Sequence, residues 1–138
     1  MELELERWLR AEEAAWASRD IERILSCYAH DCLYEDLAAG KHSRGHAQIR
    51  AFLEEAFLGV PDFRVELVSF FGCDERICAE GVMHGMHTGS IVGMPPPSGK
   101  AFSLRYAHVC ELRGGKAVRV TDYYDMVSLL RQLELMPR

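Results

Sequence analysis

No run of lysine or arginine occurs in this 138-residue chain, and its formal net charge is −5. Without a basic stripe there is nothing to neutralise phosphates, so no nucleic-acid partner is expected, nor an anionic membrane surface. No apolar run approaches the roughly 18–20 residues of a bilayer span. The first sixteen residues are rich in Glu and lack the basic-then-apolar order of an export signal, which points to the cytoplasm. The five cysteines (Cys27, Cys32, Cys73, Cys78 and Cys110) contain no C-x-x-C pair. Reduced thiols serving as small apolar residues are the expectation.

Several cofactor signatures are also missing. There is no G-x-G-x-x-G and no G-x-S-x-G. Ser98-Gly99-Lys100 resembles the end of a phosphate loop, but Ala101 stands where Ser or Thr is required. His42 and His46 straddle a loop and a helix start, and His84 and His87 alternate along a strand. Neither pair clusters as zinc ligands do. Neither a metal nor an organic cofactor is expected.

What is present is an ordinary globular composition, 49% hydrophobic and 27% charged, which predicts one domain over residues 1–138. Leu3, Leu5, Trp8, Leu9 and Trp16 share a helical stripe. Ser18 or Asp20 can cap a second helix, Ile21 to Ala29. A short strand, Cys32 to Leu37, runs into a polar loop from Gly40 to Gly45. His46 to Leu58 forms a third helix, stopped by Gly59 and Pro61. The period then changes to two. Phe63 to Phe71, Arg76 to Thr88, Ala101 to Leu112 and Lys116 to Tyr124 read as strands. Tight turns at Gly72 to Glu75 and at Gly114-Gly115 join them in pairs, and Asp125 caps a last helix, Met126 to Leu135. Helices followed by hairpin-linked strands predict an α+β fold. Its curved antiparallel sheet would form a cone, with three N-terminal helices packed over it and a short C-terminal helix.

Polar residues stand at strand positions where a core prefers Val or Ile. Leu104, Tyr106, His108, Cys110 and Leu112 share one face. Val118, Val120, Asp122 and Tyr124 share another. If both faces line the cone, His108 and Asp122 sit on neighbouring strands inside it, a pairing suited to proton transfer. Tyr34 and Asp36 could reach the same space from the first strand. His84, in phase with Glu80, Val82 and Met86, is a further candidate. Trp16, with Phe52, Phe57, Leu104 and Met126, would shape the pocket. The competing reading is a satisfied structural pair, or a one-residue slip that turns every assignment outward.

These residues bear a family resemblance. Gly85-x-His87-Thr88-Gly89, Gly93-x-Pro95-Pro96, Gly99-Lys100, the Gly114-Gly115-Lys116 turn, Asp122, Asp125 and Leu129-Leu130-x-Gln132-Leu133 together resemble the SnoaL-like polyketide cyclase family, within the nuclear-transport-factor-2-like superfamily. Tyr28-x-x-Asp31-Cys32-x-Tyr34 and Arg44-Gly45-x-x-x-Ile49 also fit. The resemblance implies a cofactor-independent acid/base enzyme acting on a small hydrophobic carbonyl compound, by intramolecular aldol closure or ketosteroid-type isomerisation. It implies Asp122 as general acid/base, assisted by His108, and a homodimer formed through the outer face of the sheet. Asp122-Tyr123-Tyr124-Asp125 is also similar to the ending of limonene-epoxide hydrolase. There Tyr34, Asp36 and Asp122 would match the water holders, with Val82 and His84 at the positions of that enzyme's middle-strand Arg and Asp. A non-catalytic protein that binds a hydrophobic metabolite is the third reading.

Overall fold

The computed structural model describes residues 2–91 and 93–136. The chain opens with α1 (Glu2–Ser18) and α2 (Ile21–Leu25), then β1 (Tyr28–Asp36), β2 (Lys41–Arg44) and α3 (Gly45–Gly59). It continues through β3 (Arg64–Cys73), β4 (Arg76–Met86), β5 (Ala101–Arg113), β6 (Lys116–Tyr124) and α4 (Met126–Gln132). Six strands form one sheet in the order β2-β1-β6-β5-β4-β3. Its two edges, β2 and β3, do not meet, so the sheet curls without closing into a barrel. The α+β architecture expected from the sequence is therefore present. No described helix is long and apolar enough to cross a membrane.

Local chemistry explains the boundaries. Arg19 adopts a left-handed φ of 57° and ends α1, and Asp20 then caps α2 through the Arg23 N–H. Gly114 and Gly115 both have positive φ (60° and 80°), as a two-residue hairpin turn whose twist matches its strands requires. Asp125 accepts from the N–H groups of Val127 and Ser128 and starts α4.

Three elements differ from the sequence reading. The second helix stops at Leu25, because Tyr28 already pairs with Ala117 in the sheet. Residues 41–44, read as loop, are the edge strand β2. The sheet is mixed: β1 runs parallel to β6, while every other pair is antiparallel. That parallel pair sets Asp36 directly beside Asp122.

One core lies between α1, α2, α3 and the concave face of the sheet, built on Trp8, Leu9, Ile24, Tyr28, Ile49, Leu53 and Val120. A smaller cluster of Val60, Phe102, Leu104 and Leu133 sits under α4. Between the two lies a cavity.

Candidate active site

The cavity measures about 540 Å³, within the usual range for small-molecule sites. Its wall is mostly apolar, with Leu9, Trp16, Phe52, Phe63, Met83, Phe102 and Leu129 among the lining residues. Polar groups enter at a few points: Glu12 and Glu13 from α1, Tyr34 and Asp36 from β1, Lys41 from β2, His87 just after β4, Tyr106 and His108 from β5, and Asp122 and Tyr124 from β6.

Four of these groups are hydrogen-bonded in series. His108 pairs with Asp122 across the β5–β6 ladder, and its Nδ1 lies 2.5 Å from Asp122 Oδ1. The other Asp122 oxygen, Oδ2, accepts from Tyr34 Oη at 2.5 Å. On the far side of the ring, His108 Nε2 lies 2.9 and 3.0 Å from the two carboxylate oxygens of Glu12. Glu12 also accepts from Tyr28 Oη at 2.6 Å, and Tyr28 Oη accepts from Trp16 Nε1 at 3.1 Å. One continuous network thus links the helix to three strands.

The protonation state follows from this geometry. Both ring nitrogens of His108 face carboxylate oxygens, so a neutral ring would set one lone pair against another. Burial disfavours the imidazolium, but the negative charges around it prevail, and the His108 pKa lies well above its ordinary value. Glu12 and Asp122 supply that charge, since burial pushes the Cys110 thiol up to about 12 and leaves it neutral. Of the three side chains, Asp122 is the most open to the cavity, 19% exposed against 10% for His108 and 3% for Glu12.

The neighbours differ in charge. Burial drives the Tyr34 phenol well above its usual pKa, and Asp122 adds to the effect. Tyr106 is pushed up to about 12, chiefly by burial. Both are neutral donors. Asp36 accepts from Ala39 N–H at 3.1 Å and from Tyr124 Oη at 2.9 Å. Burial raises its pKa despite those bonds, and the charge of Asp122 acts in the same direction.

Glu12, His108 and Cys110 hold donor atoms within 4.8 Å of one another. Such a trio can hold a metal only if the thiol ionises and Glu12 releases His108 Nε2. With the thiol protonated and those two groups bonded to each other, the set fits an ion pair better than a metal centre.

Of the residues singled out in the sequence, Trp16, Tyr34, Asp36, Tyr106, His108 and Asp122 all line this cavity. His84 does not, which corrects its placement there. The concave positions of β4 are Ile77, Ala79, Gly81, Met83 and Gly85, so alternation turns His84 to the outer face. There it lies 2.7 Å from Ser103 Oγ and 3.5 Å from Glu66 Oε2, beside a separate shallow cleft. Val82 shares that outer face. Sequence reasoning missed Glu12, although its spacing was informative: it falls seven residues after Leu5 and four before Trp16, on the apolar stripe of α1. It also passed over Tyr28, whose hydroxyl anchors Glu12, and set His87 on the strand face opposite His84, favouring His84 for the pocket. All five cysteines are free, with Cys32 and Cys110 buried, as expected of small apolar residues.

Among curated proteins, none matches the chain. Solved structures do match it along most of its length. A protein assigned as a polyketide cyclase from Xanthomonas campestris pv. campestris is 25% identical, with a TM-score of 0.82, over 96% of this chain and 98% of that one. TerC, crystallised with polyporic acid, is 25% identical with a TM-score of 0.78, over 93% and 96% of the two chains. A protein of ketosteroid isomerase-like fold from Catenulispora acidiphila DSM 44928, in complex with trimethylamine, is 24% identical with a TM-score of 0.80, over 94% and 93%. The profile of the SnoaL-like polyketide cyclases matches residues 6–133, and the chain belongs to that family.

Proposed function

We propose that this protein is a cofactor-independent acid/base enzyme acting on a small hydrophobic carbonyl compound. Family membership and the fold it shares with ketosteroid isomerase-like proteins support a cyclase- or isomerase-type enzyme. The observation behind the finer reading is the Asp122 carboxylate, held at both oxygens by Tyr34 and His108 and facing an apolar cavity.

In this reading Asp122 takes a proton from the carbon next to a carbonyl. The electron pair of that C–H bond moves to the carbonyl oxygen. Tyr106 donates to the developing enolate oxygen; its hydroxyl is neutral, and no other described residue accepts from it. Tyr34 and His108 are committed to Asp122, so they orient the base rather than bind the oxyanion. The enolate carbon then attacks a second carbonyl carbon, and Asp122 returns its proton to the new alkoxide. In an isomerisation the proton instead returns to another carbon. A positioned base of this kind contributes about 10²–10⁴ in rate.

The likeness to TerC, crystallised with polyporic acid, supports a small-molecule ligand in the cavity. Epoxide hydrolysis finds no support, because Val82 and His84, the positions for that enzyme's Arg and Asp, face away from the cavity. Hydrogen–deuterium exchange into an enolisable ketone tests the base, and Asp122→Asn should abolish it. A ligand that binds and elutes unchanged, with exchange unaffected by Asp122→Asn, would indicate a binding protein instead.

The proposal extends to assembly. The outer face of the sheet has an apolar row crossing three paired strands: Phe71, Cys78 and Val109. Phe71 is 65% exposed, and Tyr123, in the adjacent row, is 49% exposed. A second copy of the chain would cover them.

A further inference from the structure

His87 is 1% exposed, lines the cavity, and has a ring nitrogen, Nε2, that is buried without a hydrogen-bond partner among the described residues. The other ring nitrogen is committed. Nδ1 accepts from the Ser98 N–H at 3.3 Å, so its lone pair is engaged and the ring hydrogen lies on Nε2. The residue is fixed in place on both sides. Its own N–H donates to the Lys100 carbonyl at 2.9 Å, and its carbonyl accepts from the Gly99 N–H at 2.8 Å.

The surrounding segment is equally constrained. Gly89 N–H donates to the Gly59 carbonyl. A Cβ on Gly89 would meet the Leu58 carbonyl oxygen at 1.8 Å, and one on Gly59 would meet the Ile91 side chain at 2.0 Å. Two glycines therefore press this connection against the end of α3, and His87 cannot easily turn its free nitrogen elsewhere. A buried donor left unpaired is costly, and no described residue accepts from Nε2.

We propose that the His87 Nε2–H is a specificity-determining donor for an oxygen on the ligand, at the end of the cavity remote from Asp122. The two poles are well separated: His87 lies eight residues along β4 and its continuation from Ala79, the residue that pairs with His108. The ligand class is then a hydrophobic compound with at least two oxygen functions. One carbonyl faces Asp122 and Tyr106, and one carbonyl or hydroxyl faces His87. This rests on the proposed function only in assuming a hydrophobic carbonyl ligand.

The test has two parts. Long-range ¹⁵N–¹H NMR of the ligand-free protein should show His87 protonated at Nε2 and bare at Nδ1; the opposite tautomer would overturn the inference. Calorimetric binding of 9-fluorenone and fluorene, which share a shape and differ by one carbonyl oxygen, then reads the donor directly. The wild type should prefer 9-fluorenone by about 3- to 10-fold. His87→Leu should abolish that preference while fluorene binding persists. His87→Gln, which can accept from Ser98 and donate to the cavity, should restore it. A preference that survives His87→Leu, or one lost only in Tyr106→Phe, overturns the inference. Failure of the wild type to bind either compound would refute the hydrophobic-carbonyl reading itself. Asp122→Asn should leave the preference intact, so a failed assignment of the base does not affect this result.

Discussion

Glu12 occupies a position on α1 that an ordinary amphipathic helix would give to Leu, and its carboxylate is nearly inaccessible to water. Burying that charge is unfavourable unless it is paired and fully hydrogen-bonded. His108 and Tyr28 meet both demands. Glu12→Leu should leave the His108 imidazolium half-compensated and reduce stability by about 3–5 kcal/mol in denaturant unfolding at pH 6. The pH dependence has a definite sign. The folded-state pKa of His108 is raised above its unfolded value near 6.5. Its contribution is therefore complete below pH 6.5 and is lost as pH rises through the folded value. The stability gap between wild type and Glu12→Leu should narrow above pH 6.5. A gap that stays constant from pH 6 to pH 9 would mean that His108 is not the group Glu12 stabilises.

Strand alternation makes the β5–β6 hairpin readable from the sequence alone. Tyr106, His108 and Asp122 break a hydrophobic rhythm of period two, and the two glycines of the turn fix its position. The β4 strand was harder to read, because two of its concave positions are Gly81 and Gly85. A face lined by glycine leaves no hydrophobic signal, so alternation separates His84 from His87 without showing which of the two points inward. The edge strand β2 and the parallel β1–β6 pair were equally hidden. Residues 41–44 (Lys-His-Ser-Arg) are polar, and the pairing of β1 with β6 joins segments some ninety residues apart. Glu12 was legible in principle, as a charge in phase with an apolar stripe. Gly81 has a clear role in the structure: a Cβ there would approach the Glu66 carbonyl oxygen to 2.4 Å and Tyr106 Oη to 2.8 Å. Gly81→Ala should destabilise the fold by about 1–3 kcal/mol, measured by thermal unfolding, because the backbone carbonyl cannot yield. An unchanged melting temperature would show that β4 has more room than this packing allows.

At the scale of the whole molecule, the proposed base, Asp122, faces a mostly apolar cavity, and an apolar row lies on the outer face of the sheet. The row predicts a dimer in solution. Val109→Glu, which puts a charge into the row, should shift the sedimenting species from dimer to monomer without altering the cavity; a wild type that sediments as a monomer would refute the pairing. The central claim concerns the cavity. Wild-type protein in D₂O with 2-tetralone, an enolisable bicyclic ketone, should accelerate loss of the ¹H NMR signal of the carbon-bound hydrogens next to the carbonyl. Asp122→Asn should fold as the wild type does and lose at least about 100-fold of that acceleration. Equal exchange by the two proteins, or no acceleration by the wild type over buffer, would contradict the assignment of Asp122 as the base.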